Sequence, residues 1–253
     1  MNFKDRTAIV TGSTGNIGQA ICRCLAKHGV RVAITDIDPQ KVQDFTAQLQ
    51  QEGGNVSGYV MDIGSMESCE KAVRQIRQDL GKIDILVNNA GIWRRPRQIS
   101  LLEMDEDFWK QTVDINLTGV YRVIKQVLPF MLEQQYGRII NLGSIAGEAG
   151  LPGYSDYAAA KAGVIMLTKT LAMELGKENI TVNCVSPGLV SDIPGETRPH
   201  NGTWLGRNGE RDEIAEAIVF LASDNSSFMT GVDLTVDGGR ILGPRFADFK
   251  LEK

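Results

Sequence analysis

Short apolar, β-branched runs alternate along this chain with longer stretches whose apolar positions recur every three or four residues. Residues 7–11, Thr-Ala-Ile-Val-Thr, read as a buried strand. A glycine-rich turn follows. Residues 17–27 then place Ile17, Ala20, Ile21, Cys24 and Leu25 at helical spacing, with Gly29 as the stop. The same contrast predicts strands over 31–35, 83–87, 138–142 and 181–185. Helices are predicted over 39–51, 65–80, 105–135, 156–177 and 212–222. Pro129, which lacks an N–H donor, is expected to kink or divide the long helix. Strands alternating with helices predict an α/β fold, a Rossmann-type doubly wound parallel sheet with helices on both faces. No linker, repeat or low-complexity stretch interrupts the 253 residues, which predicts a single domain over 1–253.

The turn after the first strand is Gly12-Ser13-Thr14-Gly15-Asn16-Ile17-Gly18. Glycines there let the backbone approach a pyrophosphate, to which the helix N-terminus offers free N–H groups and a partial positive charge. Asp36 ends the second strand roughly 20 residues beyond the glycines, the separation a dinucleotide fold requires. A carboxylate at that point accepts hydrogen bonds from both adenosine ribose hydroxyls and repels a 2'-phosphate, so NAD is expected rather than NADP. A plain structural turn followed by a capping aspartate is the alternative.

Tyr157 and Lys161 lie four apart in Tyr-Ala-Ala-Ala-Lys, on one face of the predicted helix. A neighbouring cation favours the phenolate, so Lys161 is expected to lower the Tyr157 pKa and make it a usable acid or base. Ser144, just after the strand 138–142, would bring a hydroxyl to the same carbonyl. Taken alone, the pair reads more readily as a half-buried tyrosine and a surface lysine.

With these features in order, the chain resembles a single-domain short-chain dehydrogenase/reductase over nearly its whole length. Asn88-Asn89-Ala90-Gly91, Asn116, Pro187-Gly188 and the stretch from Thr230-Gly231 to Gly239 fall where that family places its landmarks. The resemblance implies that Tyr157 exchanges a proton with the substrate oxygen, which Ser144 orients. It also implies that Lys161 tunes Tyr157 and holds the nicotinamide ribose. Asn116 would bend its helix and help hold a water linking Lys161 to solvent. Asn89, Ala90 and Gly91 would line the adenosine side, with Ile37 beside Asp36 and with Asp62 and Ile63 near the adenine. Asp62 is equally a turn residue or helix cap. Pro187, Gly188 and Val190 would lie against the nicotinamide. A secondary alcohol and a ketone would be interconverted by hydride transfer.

The likeness has two departures. Asn16 stands where single-domain members carry the middle glycine, and Gly15 comes one place early; asparagine tolerates φ > 0, so the turn is expected to form. After Pro187-Gly188 the chain reads Leu-Val-Ser191-Asp192, with Ser191 standing in for the usual threonine and Asp192 bringing a negative charge near the site. The segment 191–206, with Glu196, Arg198, His200, Asn201 and Trp204, is short and polar for a lid over a large ligand. Trp93, Arg94, Arg95 and Arg97 follow the Asn-Asn-Ala-Gly stretch, near the expected mouth. Arginines there suit a substrate with an anionic group such as a sugar acid, or form a solvated or subunit-contact cluster. A 3-oxoacyl-carrier-protein reductase is the enzymatic alternative, against which that activity's usual NADP preference weighs. An NAD-binding regulator without turnover is the alternative of another class, disfavoured by the complete Ser144, Tyr157 and Lys161 set.

Composition excludes little and agrees with the rest. Cys22, Cys24, Cys69 and Cys184 form no C-x-x-C pair, and with only His28 and His200 no zinc constellation emerges, so no metal is expected. The first residues reach Lys4, Asp5 and Arg6 before any long apolar stretch, and no run of about 18 apolar residues occurs, which predicts a soluble cytoplasmic protein that is not membrane-bound. A formal charge of -4 without a basic block argues against nucleic acid. The family implies a homo-oligomer, tetramer or dimer, pairing through the long helices. Ile241, Leu242, Phe246 and Phe249 near the end would cross a subunit boundary or cover their own core.

Overall fold

The computed structural model describes residues 3–93, 98–193, 198–200 and 202–243. Arg94, Arg95, Arg97, Glu196, Asn201, Phe246 and Phe249 lie outside the described residues.

The first half of the chain alternates β1 (Thr7–Thr11), α1 (Asn16–Lys27), β2 (Arg31–Asp36), α2 (Pro39–Gln51), β3 (Val56–Val60), α3 (Met66–Leu80) and β4 (Ile85–Asn88). The second half adds α4 (Glu106–Val113), α5 (Gly119–Glu133), β5 (Gly137–Leu142), α6 (Ile145–Ala149), α7 (Ser155–Leu175), β6 (Ile180–Pro187), α8 (Arg211–Ala222) and β7 (Asp233–Val236). The strands form one seven-stranded parallel sheet in the order β3-β2-β1-β4-β5-β6-β7. This is the doubly wound α/β arrangement expected. Strand order reverses between β1 and β4, and ligands in such sheets bind beyond the carboxyl ends of the strands at that crevice.

Side chains of a strand alternate between faces, and β1 divides accordingly. Ala8 and Val10 pack with Ile21 and Leu25 of α1 and with Ile214 and Ile218 of α8. Ile9 joins the opposite core, with Ile76 of α3, Val123 and Val127 of α5 and Val164 of α7. Every β1 position is buried, which is why the run reads as continuously apolar.

Two edge strands escape the hydrophobic pattern. In β3, Ser57 and Tyr59 are half-buried and Gly58 and Val60 exposed, and a Cβ on Gly58 would stand 2.5 Å from Thr46 Oγ1 and 2.8 Å from Val42 of α2. The missing side chain lets α2 lie close, but it also removes the strand signal. β7 is four residues long and begins with Asp233.

The helix expected over 105–135 is also different. It consists of α4 and α5 joined by a π-helical segment, Asp114–Thr118, while Pro129 sits inside an undivided α5. The proline removes one N–H from a helix that the burial of Val120, Val123, Ile124, Val127 and Met131 holds in place.

Candidate active site

The turn after β1 is set by close backbone approach. Gly12 has φ +61°, and a Cβ there would lie 2.8 Å from Ala90 Cα. On Gly18 it would lie 2.2 Å from the Gly12 carbonyl. Asn89 Nδ2 donates to the carbonyls of Thr11 and Gly12, both at 3.0 Å. Thr11 Oγ1 accepts from the backbone N–H of Asn89 and Ala90. Ser13 Oγ donates to the Val10 carbonyl and accepts from Thr35 N, tying the turn to β2.

Gly15, with φ -73°, precedes α1, and Asn16 is already its first residue. Asn16 therefore has no need of the left-handed region anticipated for it: among the described non-glycine residues only Asp5, Gln135 and Asn179 have positive φ. Helices α2, α3 and α4 are capped by Asp38, Ser65 and Asp105, whereas no side chain caps α1. Its first N–H groups, Ile17 and Gly18 included, remain available to an anion. An uncapped twelve-residue helix beneath a glycine turn fits the pyrophosphate of a dinucleotide.

Asp36 lies at the end of β2, where the ribose-binding carboxylate was expected. Its Oδ2 accepts from Thr14 N at 3.1 Å and Thr14 Oγ1 at 2.6 Å, and its Oδ1 from Ile37 N at 2.8 Å. Asp62 uses Oδ1 in a local turn, accepting from Gly64 N at 2.8 Å, which is the turn role left open for it. Ile63 turns its side chain into the core, so close to Gly119 of α5 that a Cβ there would stand 2.8 Å from Ile63 Cδ1.

Ser144 caps α6, its Oγ accepting from Ala146 N at 3.1 Å. Tyr157 and Lys161 project from α7, and Lys161 Nζ lies 5.7 Å from the Tyr157 ring centre. Lys161 is buried and donates to the Leu142 carbonyl at 2.7 Å. Burial, not a partner, sets both ionisations. It pushes the Tyr157 phenol up to about 12, with the Ser144 hydroxyl opposing the rise, and brings Lys161 down to about 8. The expected lowering of the tyrosine by the lysine is absent from this geometry, because the ammonium is directed to Leu142 and both groups have lost water.

Asn116 is fully buried in the π segment. Its Nδ2 donates to the carbonyls of Thr112 and Ile92, at 3.0 and 3.2 Å, and its Oδ1 accepts from Ile92 N at 3.1 Å. By bonding the carbonyl four residues back, the side chain takes the acceptor that its own backbone N–H would use in an α-helix, which is a physical reason for the π turn. A Cβ on Gly91 would lie 2.6 Å from Asn116 Oδ1 and 3.8 Å from Lys161 Nζ, so these three positions converge.

Comparison with known proteins gives the family. Residues 12–240 match the family described as enoyl-(acyl carrier protein) reductase. The chain is 36% identical over 249 residues to the 3-oxoacyl-(acyl-carrier-protein) reductase FabG of Thermotoga maritima, covering 96% of this chain and 100% of that one. The chain is a short-chain dehydrogenase/reductase. It is an oxidoreductase acting on CH–OH donors with NAD(P). FabG of Haemophilus influenzae is 40% identical, over 95% of this chain and 100% of that one. The hydroxy(phenyl)methylsuccinyl-CoA dehydrogenase subunit BbsD of Thauera aromatica is 39% identical, over 96% and 99%. The crystal structure of gox2181 superposes with a TM-score of 0.87 at 37% identity, covering 94% of this chain and 96% of that chain.

Around the central set, this short-chain dehydrogenase/reductase has walls that the sequence only partly announced. Trp93 stacks on Tyr154 at 4.5 Å, their planes 5° apart, and meets Tyr157 edge-on at 4.6 Å. Tyr154, three residues before Tyr157, was missed; its helical spacing was the available signal. Trp204 lies against Gly239, where a Cβ would be 3.2 Å away. Pro187 ends β6, and Gly188 meets the backbone of Asp237, 2.7 Å from where its Cβ would stand. Val190 bridges to Gly209, Ser191 is buried, and Asp192 is exposed. Among the described residues, no helix is long and apolar enough to cross a membrane.

Proposed function

We propose that the enzyme interconverts a 3-oxoacyl thioester and the corresponding 3-hydroxyacyl thioester with NAD(H), using Tyr157 as the proton-exchanging group. The observation that carries the chemistry is the half-buried phenol of Tyr157, its pKa pushed up to about 12, beside Ser144 and Lys161. Bound nicotinamide supplies or accepts the hydride at the carbinol carbon. In the reducing direction Tyr157 Oη gives its proton to the substrate oxygen, and in the oxidising direction it takes that proton back. Ser144, whose lone pair is engaged by Ala146 N, keeps its own proton to donate to the same oxygen. Lys161, with one N–H on Leu142, has further donors for the nicotinamide ribose. Asn116 holds Ile92 and with it the Asn89-Ala90-Gly91 wall.

The thioester substrate takes the place of the sugar acid expected from the arginine cluster. FabG and BbsD are named for acyl carriers, and in both names the reacting oxygen lies β to an acyl carbonyl. Asp36 supports NAD over NADP, because a carboxylate at the end of β2 repels a 2'-phosphate. Absorbance at the reduced-nicotinamide band tests the proposal, with acetoacetyl-CoA and sugar acids offered in parallel with each coenzyme. Turnover of acetoacetyl-CoA with NADH, reduced at least about a hundredfold in Tyr157→Phe, is expected. Turnover of the sugar acids alone would overturn the substrate class, and undiminished Tyr157→Phe activity would overturn the mechanism.

A further inference from the structure

Asn16 joins two walls of the cofactor cleft that reach it from distant parts of the chain. Its Nδ2 donates to the Ser191 carbonyl at 2.9 Å, across 175 residues, and its Oδ1 accepts from Arg211 Nη1 at 3.0 Å, across 195. Asn16 opens α1 directly under the glycine turn, Ser191 lies just beyond the exit of β6, and Arg211 opens α8. Ser191 is buried and fixed in turn, its N–H donating to the Gly209 carbonyl at 2.9 Å. Arg211 makes no ion pair among the described residues, and its Nε is buried without a partner, so its bond to Asn16 is the polar contact that locates the guanidinium. An amide has a donor end and an acceptor end; here each end serves a different wall. Backbone conformation does not require asparagine, since position 16 is helical.

We propose that Asn16, oriented by Arg211, is a positioning residue that fixes the β6 exit against the glycine turn, and so sets the spacing between the pyrophosphate and nicotinamide halves of the cofactor cleft. This rests on the dinucleotide reading above. A ligand spanning both halves depends on that spacing, and a ligand occupying the adenosine and pyrophosphate half does not.

Calorimetric binding of NADH and of ADP to the wild type, Asn16→Ala, Arg211→Ala and the double variant separates the two. Breaking the bridge, through loss of both bonds in Asn16→Ala and of the bond that orients Asn16 in Arg211→Ala, is expected to weaken NADH about tenfold in each single variant. ADP should weaken less than about twofold, and the double variant should be no worse than either single one, since both break the same bridge. Asn16→Asp, which keeps an acceptor for Arg211 but cannot donate to Ser191, should resemble Asn16→Ala. Equal weakening of ADP and NADH would show that these side chains act on the pyrophosphate itself, and unchanged NADH binding would show that the bridge sets nothing. Either result overturns the proposal. Failure of the wild type to bind NADH or ADP would instead overturn the dinucleotide reading beneath it.

Discussion

Replacing Lys161 by methionine tests the energetics of the buried site directly. The lysine is 4% exposed, and burial brings its pKa from 10.5 down to about 8. That displacement corresponds to about 3 kcal/mol of differential interaction between its charged and neutral forms. Below pH about 8 the side chain is charged in both folded and unfolded states, and the fold bears the full penalty of the buried ammonium. Between about 8 and 10.5 the folded protein has released the proton while the unfolded chain still holds it, so stability rises with pH. Above 10.5 the gain is complete; as pH falls through the folded pKa it is lost. The half-buried Tyr157 and the buried Cys22, Cys24 and Cys69 act oppositely at alkaline pH, because loss of water raises them and the unfolded state loses its protons first. They are common to both proteins, so the wild-type minus variant difference isolates Lys161. Urea unfolding from pH 7 to 10.5 should show the wild type gaining about 3 kcal/mol relative to Lys161→Met. The absolute offset also contains the bond to Leu142, so the slope is the decisive quantity. Parallel pH dependences in the two proteins would refute the reasoning.

Two further substitutions probe the cofactor side. Gly12→Ala must place a side chain at φ +61°, 2.8 Å from Ala90 Cα, and left-handed backbone alone costs roughly 1–2 kcal/mol. A thermal melt should fall by several degrees and NADH binding should weaken, whereas an unchanged melt would mean that the close approach is not there. Asp36→Asn removes the charge that repels a 2'-phosphate and should raise the NADPH-to-NADH ratio of kcat/KM by about tenfold. A ratio that stays fixed would place coenzyme choice elsewhere.

Much of this architecture was legible because strands buried on both faces announce themselves. β1 and β4 have apolar centres, β5 and β6 set apolar residues around the buried Arg138, Asn141, Thr181 and Asn183, and each was placed within a residue or two of its observed ends. β3 was not, since an edge strand keeps polar residues and its Gly58 serves α2 rather than the sheet. The glycine turn, Asp36 and the Ser144, Tyr157 and Lys161 set could be found by spacing. Their electrostatics could not, because the neighbour expected to control Tyr157 is itself dehydrated and turned toward Leu142. Arg211 left no signal at all: nothing local to Glu210-Arg211-Asp212 points to a partner 195 residues away. Position 16 looked like a question of backbone tolerance and is instead one of long-range hydrogen bonding.

The π turn at Asp114–Thr118 also governs how the chain can change in length. At 3.6 residues per turn, one residue more or fewer rotates everything beyond it by about 100°. The segment therefore acts as a phase adjuster: α4 before it packs on α7, and α5 beyond it on α3, in registers that a straight helix would not join. Deleting any one residue between Thr112 and Gly119 would let an ordinary ladder form while swinging Val120, Val123, Ile124, Val127 and Met131 out of the core, or else withdraw Asn116 from Ile92. In this stretch the number of residues is as constrained as their identity.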